Sequence, residues 1–410
     1  TITRLLGNVR FEFLEADLIL SLASFIAISG SPTIEIPGRE FITSISTSTL
    51  YAFNPMTVAV VTLFTIRKLY HKYFLCYNQR MGKDCKNILA INFGGIGDEI
   101  FFLPTLISLK KEFPNSKITL ALEPRSKSVK DLTDVIDDLF LIDVKGKNKY
   151  AELLKLVYLA RKGHFDLVVS SGGNKLISIL LTLTGIKKRY GYNTGKLSEF
   201  LLTKAVPLNK NQYACAMYHD LVTPITQNKT YLPEINVKPQ EKISNSVLIH
   251  PGVSKMSIQK GMIKTIPATT WAEVIDLLIE NGKKVILVGG PDDKECIDII
   301  LNNTKHKDFE GYYGKTKSLK DLAVLISKAE KFICSDSAPL HVAVALKTRT
   351  YVIFGPTDDK KLIPQSDIVT AVKAHDKCPV KPCLWEHRQT TCDKLDCLKI
   401  TAQDIINIVL

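Results

Sequence analysis

The chain lacks an apolar run long enough to cross a membrane as a helix. A spanning helix needs about 20 apolar residues, and the longest apolar stretches, residues 18–29 and 56–66, are shorter. Neither is typical of a signal peptide, because acidic residues precede the first stretch and the second is internal. We therefore expect a cytoplasmic protein.

Two common nucleotide-binding signatures are missing from the most prominent glycine turn, GGIGDE at residues 94–99. The turn lacks the G-x-G-x-x-G spacing that binds dinucleotides, and no Gly-Lys-Ser/Thr follows it as in a P-loop. These absences argue against both kinds of site at this turn.

Positive charge, in contrast, is in excess. The 410 residues carry a net charge of +13, which suggests phosphorylated substrates, a membrane surface or nucleic acid as partners. No recognised nucleic-acid-binding motif accompanies the charge, so we expect no nucleic-acid partner.

From residue 86 onward, apolar runs that end in glycine turns alternate with helical patterns. This alternation predicts an α/β protein with two doubly wound parallel sheets, at residues 86–235 and 236–410. Ligands of such sheets bind outside the carboxyl ends of strands, where the glycine turns lie, so the two domains would face a cleft. The sequence assigns no fold to the N-terminal extension, residues 1–85.

The first candidate loop is the glycine turn itself. Gly94, Gly95 and Gly97 let the backbone turn sharply and approach a ligand closely. Asp98 then lies at or near the start of a helix. An acid at that position is also an ordinary N-cap, so the turn alone does not separate a capping role from a catalytic one.

Two further loops follow predicted strands in the second domain. Residues 251–267 hold three lysines and no acid, which suits a diphosphate but also an ordinary solvated loop. In residues 335–346, Asp336, Ser337 and His341 surround a helix start whose amides suit phosphate. A capped helix with a hydrogen-bonded core histidine would show the same pattern.

With these loops in order, the chain resembles glycosyltransferase family 9, the ADP-heptose:lipopolysaccharide heptosyltransferases and their relatives. Six motifs carry the resemblance: GGIGDEIFFLPTLISLKKEFP, HPGVSKMSIQKGMIKTIP, VILVGGPDDKE, GKTKSL, SDSAPLHVAVAL and FGPTD. They occur in family order over residues 86–410 and do not extend into residues 1–85. The resemblance implies a GT-B fold and an inverting transferase that needs no metal for catalysis.

The resemblance also implies roles for individual residues. Asp98 matches the general base that removes a proton from the acceptor hydroxyl, and Lys264 matches the lysine that holds the donor phosphates. The positions that match or adjoin donor-binding loops are Gly94, Gly95, Gly97, His250, Gly252, Ser254, Lys260, Gly290, Asp292, Glu295, Asp336, Ser337, Ala338 and His341.

Two departures from the family pattern concern the donor site. Ala338 replaces the usual glycine, so its methyl group would crowd the phosphate unless its backbone angles are ordinary. The loop before Lys264 is longer than usual, so Lys255 or Lys260 could share the role of Lys264.

The implied reaction transfers heptose from ADP-heptose, a nucleotide-sugar, to a lipid-linked glycan of the lipopolysaccharide core or to a related glycan. UDP- and GDP-sugars stay open as donors. The alternatives are a heptosyltransferase with a protein acceptor and a nucleotide-sugar-binding protein with a degenerate site. Release of ADP from candidate donors, with and without acceptor, separates an enzyme from a binding protein.

Four cysteines lie close together near the end of the chain. Cys378, Cys383, Cys392 and Cys397 follow a C-x4-C-x8-C-x4-C spacing, which suggests a structural zinc or iron site. Cysteine-rich tails also occur in the family that the chain resembles. Reduced thiols, or disulfides formed on isolation, are the alternatives.

A basic segment precedes the first domain. Residues 67–86 contain six Lys or Arg and one Asp, and an apolar run precedes them. Residues 56–86 therefore suit a helix that lies on the inner membrane surface, or equally a helix that packs on the first domain. On the first reading the protein is peripheral to that membrane.

Overall fold

The computed structural model describes residues 85–238, 240–375, 378–384, 392 and 394–410. Residues 85–410 cluster as one compact unit. The predicted N-terminal extension, and with it nearly all of the basic segment at 56–86, lies outside the described residues. No helix among the described residues is long and apolar enough to cross a membrane.

The first half of the unit contains a six-stranded parallel sheet in the order β3-β2-β1-β4-β5-β6. Its strands are β1 (Asn87–Ile91), β2 (Lys117–Leu122), β3 (Asp138–Leu141), β4 (Leu167–Ser170), β5 (Lys188–Tyr192) and β6 (Lys204–Val206). Its α-helices are α1 (Ile96–Glu112), α2 (Lys149–Lys162), α3 (Leu176–Leu183), α4 (Lys196–Leu201) and α5 (Ala214–His219).

Strand β1 shows why this sheet is covered on both faces. Its run NILAI is apolar at successive positions, as expected for a parallel strand buried from both sides. Ile88 and Ala90 belong to the core on the α1 side, whereas Leu89 and Ile91 belong to the core under α2 and α3. The sheet is therefore doubly wound.

The second half repeats this design. Its sheet has the order β12-β11-β10-β7-β8-β9, again with every pair parallel. The strands are β7 (Ile243–His250), β8 (Lys284–Leu287), β9 (Glu310–Gly311), β10 (Ala329–Ser335), β11 (Arg349–Ile353) and β12 (Val369–Val372). The α-helices are α6 (Lys255–Gln259), α7 (Ala268–Glu280), α8 (Lys294–Asn303), α9 (Leu319–Lys328), α10 (Ala338–Ala345), α11 (Asp359–Leu362) and α12 (Ala402–Val409).

The two halves share one hydrophobic core. Helix α1 contacts α10, and a 3₁₀-helix at Pro124–Leu132 contacts α9. Buried residues of both halves, such as Phe102 and Phe332, belong to a single cluster. The predicted pair of doubly wound parallel α/β sheets is confirmed, and the glycine turns lie at the carboxyl ends of the strands.

Candidate active site

Asp98 lies at the start of α1, as the third residue of the helix. Gly95 is the N-cap residue, and its amide donates a hydrogen bond to Asp98 Oδ2 at 2.8 Å. The hydroxyl of Tyr218, on α5, donates to Asp98 Oδ1 at 3.3 Å. Asp98 therefore caps the helix from the third position rather than as the N-cap residue, and both of its carboxylate oxygens are oriented.

The glycines of this turn are required by close packing. A β-carbon at Gly94 would collide with the Asp98 side chain, and one at Gly97 would lie 2.7 Å from His341 Cδ2. Gly97 is thus the position at which the second half of the unit approaches the Asp98 turn.

The neighbouring acid, Glu99, was not singled out by the sequence patterns. It is fully buried, and its Oε1 accepts a hydrogen bond from the Gly94 amide at 3.4 Å. Its Oε2 has no partner among the described residues. Burial, and then the charge of Asp98, raise the pKa of Glu99 well above its ordinary value of 4.5. Its neutral form is favoured, so Glu99 does not add a second charge beside Asp98.

Asp98 lines a cavity of about 330 Å³ at the carboxyl ends of β1 and β4, together with Lys145, Ser171 and Tyr218. Lys145 Nζ donates to the carbonyl of Phe93 at 3.2 Å. Burial lowers the pKa of Lys145, and the charges of Arg125 and Lys260 lower it further. Three cationic side chains therefore lie near one another beside the Asp98 cavity.

On the opposite side, Lys264 forms an ion pair with Asp336. Lys264 Nζ lies 3.2 Å from Asp336 Oδ2, and the Asp336 side chain is buried. Lys255 and Lys260, the two alternatives from the longer loop, are exposed. The backbone amide of Lys255 donates to the exposed Asp292 at 3.1 Å. Of the three lysines, Lys264 is the one whose side chain reaches the Asp336 loop.

The Asp336 loop leads directly into helix α10. Ser337 is its N-cap residue, and Ala338 is its first residue. Ala338 does not have a positive φ angle, so its backbone is of the kind that alanine adopts freely. Alanine at position 338, where the family pattern has glycine, therefore causes no backbone strain.

Another buried acid, Asp293, holds the two glycine loops of the second sheet together. The amide of Gly290 donates to Asp293 Oδ2 at 2.8 Å, and His250 Nε2 lies 3.5 Å from the same oxygen. A β-carbon at Gly252 would collide with the Asp293 carboxylate. The candidate Glu295 is exposed, and the sequence patterns favoured it and Asp292 over the buried Asp293.

The remaining loop candidate, Ser254, has a local role. Ser254 is the N-cap residue of the short helix α6, and its Oγ accepts a hydrogen bond from the amide of Ser257 at 3.3 Å. Its side chain thus fixes the start of the loop that carries the three lysines.

His341 lies at the junction of the two halves. Its ring packs on Phe101 of α1 with centroids 4.2 Å apart. Burial lowers the pKa of His341 to about 4, against the opposing charges of Asp336 and Asp98. Its Nδ1 has no partner among the described residues. The imidazole is thus neutral near pH 7, and it is not the hydrogen-bonded core histidine that the sequence left open.

The cysteines of the tail pack against the second sheet. Cys397 and Leu398 belong to its core, and the amide of Leu384 donates to the carbonyl of Pro356 at 3.2 Å. Burial raises the pKa of Cys383, as do charges on Cys378 and Cys392. Among the described residues, however, no three Cys, His, Asp or Glu side chains are grouped to hold a metal ion.

Comparison with known proteins adds a family match. A model of glycosyltransferase family 9 (heptosyltransferase) matches residues 154–390. Lipopolysaccharide heptosyltransferase 3 of Escherichia coli strain K12 is 26% identical over 279 residues, which cover 64% of this chain and 80% of that protein.

Solved structures show the same fold. A family 9 glycosyl transferase from Veillonella parvula superposes with a TM-score of 0.62 at 20% identity, covering 80% of this chain and 96% of that one. E. coli ADP-heptose lps heptosyltransferase II superposes with a TM-score of 0.61 at 19% identity, covering 79% and 97%. The predicted GT-B fold is confirmed.

The buried Glu99 predicts a pH-dependent effect of Glu99→Gln on stability. Because its folded-state pKa is raised, the unfolded state releases the Glu99 proton first as the pH rises above about 4.5. Wild type should then lose free energy of unfolding relative to the variant, by up to about 1.4 kcal/mol per pH unit. Denaturant unfolding from pH 4 to 8 measures the difference. Glu112→Gln, at the exposed end of the same helix, is the control, and parallel curves for Glu99→Gln and wild type would contradict a neutral Glu99.

Proposed function

Because the chain belongs to glycosyltransferase family 9, we propose that it transfers heptose from ADP-heptose to a lipopolysaccharide core glycan, with inversion at the anomeric carbon. The heptosyltransferase family model and the similarity to lipopolysaccharide heptosyltransferase 3 of E. coli support the sugar and the acceptor class. An E. coli heptosyltransferase of the same fold, solved with ADP-2-deoxy-2-fluoro heptose, supports the donor.

The observation that carries the proposal is the convergence of both halves on His341. The charges of Asp98, Asp336 and Lys264 all act on this one imidazole, and His341 packs directly against Gly97. An acceptor hydroxyl beside Asp98 and a donor diphosphate beside Lys264 would therefore be neighbours, as a direct transfer requires.

In the proposed reaction, Asp98 accepts the proton of the acceptor hydroxyl as the oxygen attacks the anomeric carbon. The new carbon–oxygen bond forms on the face opposite the diphosphate, and the bond to the diphosphate breaks with its electron pair leaving on ADP. Attack from the opposite face accounts for inversion. The hydrogen bonds from Gly95 and Tyr218 hold the carboxylate in position for this proton transfer.

The charge that grows on the departing diphosphate is stabilised by Lys264 and by the positive end of the α10 dipole. Amides of the first turn contribute less, because Pro339 has no N–H and the amide of Leu340 donates to the carbonyl of Ser337. Lys264 is paired with Asp336 at 3.2 Å. This pairing orients the ammonium group before the donor arrives. His341, which is neutral, contributes no cationic charge to this site.

The acceptor side carries charge of its own. Lys145, with Arg125 and Lys260 near it, borders the Asp98 cavity. Such a group of cations suits phosphate or carboxylate groups on the acceptor, which supports an anionic core glycan. We propose that the enzyme acts at the cytoplasmic face of the inner membrane, where it meets a lipid-linked acceptor.

Asp98→Asn should reduce transfer by about 10²–10⁴-fold, because the amide cannot take the proton of the acceptor hydroxyl. Binding of ADP should stay within about twofold, since the base acts on the acceptor. ADP release in the presence of acceptor measures the first effect, and calorimetry with ADP the second. Asp131→Asn, exposed on the 3₁₀-helix of the same half, is the control. Near-normal turnover of Asp98→Asn would remove Asp98 from the mechanism.

Lys264→Ala should lower both donor affinity and turnover, the latter by about 10²-fold, because a charge beside the leaving diphosphate is lost. Lys255→Ala is the matched control from the same loop, since its side chain is exposed and only its backbone contacts Asp292. Steady-state rates at several donor concentrations separate the two effects. If Lys255→Ala is impaired and Lys264→Ala is not, the alignment of the longer loop is wrong.

The four-cysteine spacing leads us to propose a structural metal, on which no step of the reaction depends. We expect about one zinc or iron ion per chain, lost in the Cys378→Ser/Cys383→Ser double variant together with thermal stability. Elemental analysis of freshly purified, reduced protein measures the content, with Cys296→Ser as the control. Finding neither metal in that protein would contradict the proposed site and leave four reduced thiols.

A further inference from the structure

Helix α2 presents large apolar side chains to solvent. Tyr150, Leu154 and Tyr158 are spaced four residues apart, and they are 78%, 68% and 63% exposed. The opposite side of the helix already has its partner, because Leu156 and Ala160 are buried against the sheet. The outward stripe is therefore apolar without contributing to the core.

The next two helices repeat this feature. On α3, Leu176 and Leu183 are 65% and 48% exposed, whereas Leu181 is fully buried against the sheet. On the short α4, Leu197 and Phe200 are 49% and 70% exposed. The outward residues of the three helices are here called the apolar face: Tyr150, Leu154, Tyr158, Leu176, Leu183, Leu197 and Phe200.

These residues form one surface rather than scattered positions. Helix α2 contacts α3, and α3 contacts α4. Arg161, near the end of α2, donates a hydrogen bond from Nε to the carbonyl of Leu183 at the end of α3. Single exposed apolar residues are normal on a protein surface, whereas a large contiguous patch of them marks an interaction site.

The same part of the chain holds most of the net positive charge. Residues 145–204 contain twelve Lys or Arg and only three Asp or Glu, which is nine of the thirteen net charges of the chain. Several of these cations, such as Lys147, Lys162 and Lys175, are exposed at the ends of α2 and α3. The apolar face is therefore bordered by positive charge.

The apolar face also reaches the edge of the sheet where the Asp98 cavity opens. In a parallel α/β sheet, each helix that follows a strand begins at the carboxyl edge of the sheet. Tyr150, Leu176 and Leu197 lie in the first turns of α2, α3 and α4. Ser171 and Gly172, between β4 and α3, line the cavity itself.

We propose that the apolar face is a docking surface for an anionic lipid bilayer. Its apolar side chains enter the boundary between headgroups and acyl chains, and the bordering Lys and Arg bind the headgroups. The inference rests on the proposed function in one respect, which is that the acceptor is lipid-linked. Docking in this orientation places the mouth of the acceptor cavity beside the membrane that presents it.

Charge favours the bilayer over two other occupants. A second copy docked through the same face would bring two groups of nine net positive charges together. Residues 1–84 contain eight Lys or Arg and six Asp or Glu, so they offer no net negative charge to complement the face. An anionic membrane complements both the apolar side chains and their basic border.

Sedimentation of the full-length chain with vesicles tests the proposal. Wild type should bind vesicles of phosphatidylglycerol and phosphatidylcholine, and binding should weaken as salt rises. The Leu154→Ser/Tyr158→Ser/Phe200→Ser variant should bind about tenfold more weakly. A second variant, Lys147→Gln/Lys162→Gln/Lys175→Gln, should bind more weakly than wild type. The difference should be largest at low salt, where the charges are screened least. Neither variant changes a residue of the candidate active site.

The matched control replaces Ile299, Leu301 and Ile408 with Ser, because they are 38–41% exposed on the second half of the unit. It should bind vesicles as wild type does. Equal binding by wild type and the apolar-face variant, or no binding by wild type at low salt, would overturn the proposal. So would a dimer in solution that the apolar-face variant dissociates while vesicle binding is unchanged.

Vesicle binding requires neither donor nor acceptor, so its failure is distinct from failure of the proposed function. ADP release with a delipidated acceptor fragment should be the same for wild type and the apolar-face variant. Loss of that activity together with a lower melting temperature would identify a folding defect in the apolar-face variant. The Lys147→Gln/Lys162→Gln/Lys175→Gln variant would then decide the question alone.

Discussion

The close approach of His341 to Gly97 is the constraint on which the rest of the site depends. Each sheet brings its own loops to the carboxyl ends of its strands, but chemistry between them requires the two sets of loops to meet. They meet where α10 faces α1. His341 fits there because Gly97 has no side chain, and a β-carbon at Gly97 would lie 2.7 Å from His341 Cδ2. The hydrophobic core that runs through both halves holds this contact in place.

Two buried ionisable groups near this contact are held in their neutral forms. Burial favours neutral forms of Glu99 and His341, and the charges that act on His341 are those of Asp98, Lys264 and Asp336. The negative charge of Asp98 lies beside the acceptor cavity, and the ion pair lies beside the start of α10. In the proposed reaction, this division separates a base for the acceptor from a cation for the leaving diphosphate.

The sequence predicted the fold well because its signal is local. A run such as NILAI followed by glycines and a helical pattern identifies a buried parallel strand and its turn without knowledge of the rest of the chain. Six ordered motifs identified the family for the same reason. Asp98 and Lys264 could be proposed as site residues because each lies at a fixed distance from a glycine or proline in its motif.

Other features of the site depend on contacts between distant parts of the chain, which no local pattern reports. Tyr218 is 120 residues away from the Asp98 carboxylate that it contacts, and Arg125, Lys145 and Lys260 come from three separate segments of the chain. Asp293 was passed over for Asp292 because adjacent acids are equivalent in sequence and differ only in burial. The outward stripes of α2, α3 and α4 likewise resemble core positions until the helices are placed on the sheet.

The most direct test of the account is a crystal structure with ADP-heptose or an unreactive analogue bound. We expect the diphosphate against Lys264 and the first turn of α10, with the anomeric carbon directed toward Asp98 across His341. A diphosphate held by Lys255 or at the edge of the first sheet, with the sugar directed away from Asp98, would contradict the convergence of both halves on one reaction centre.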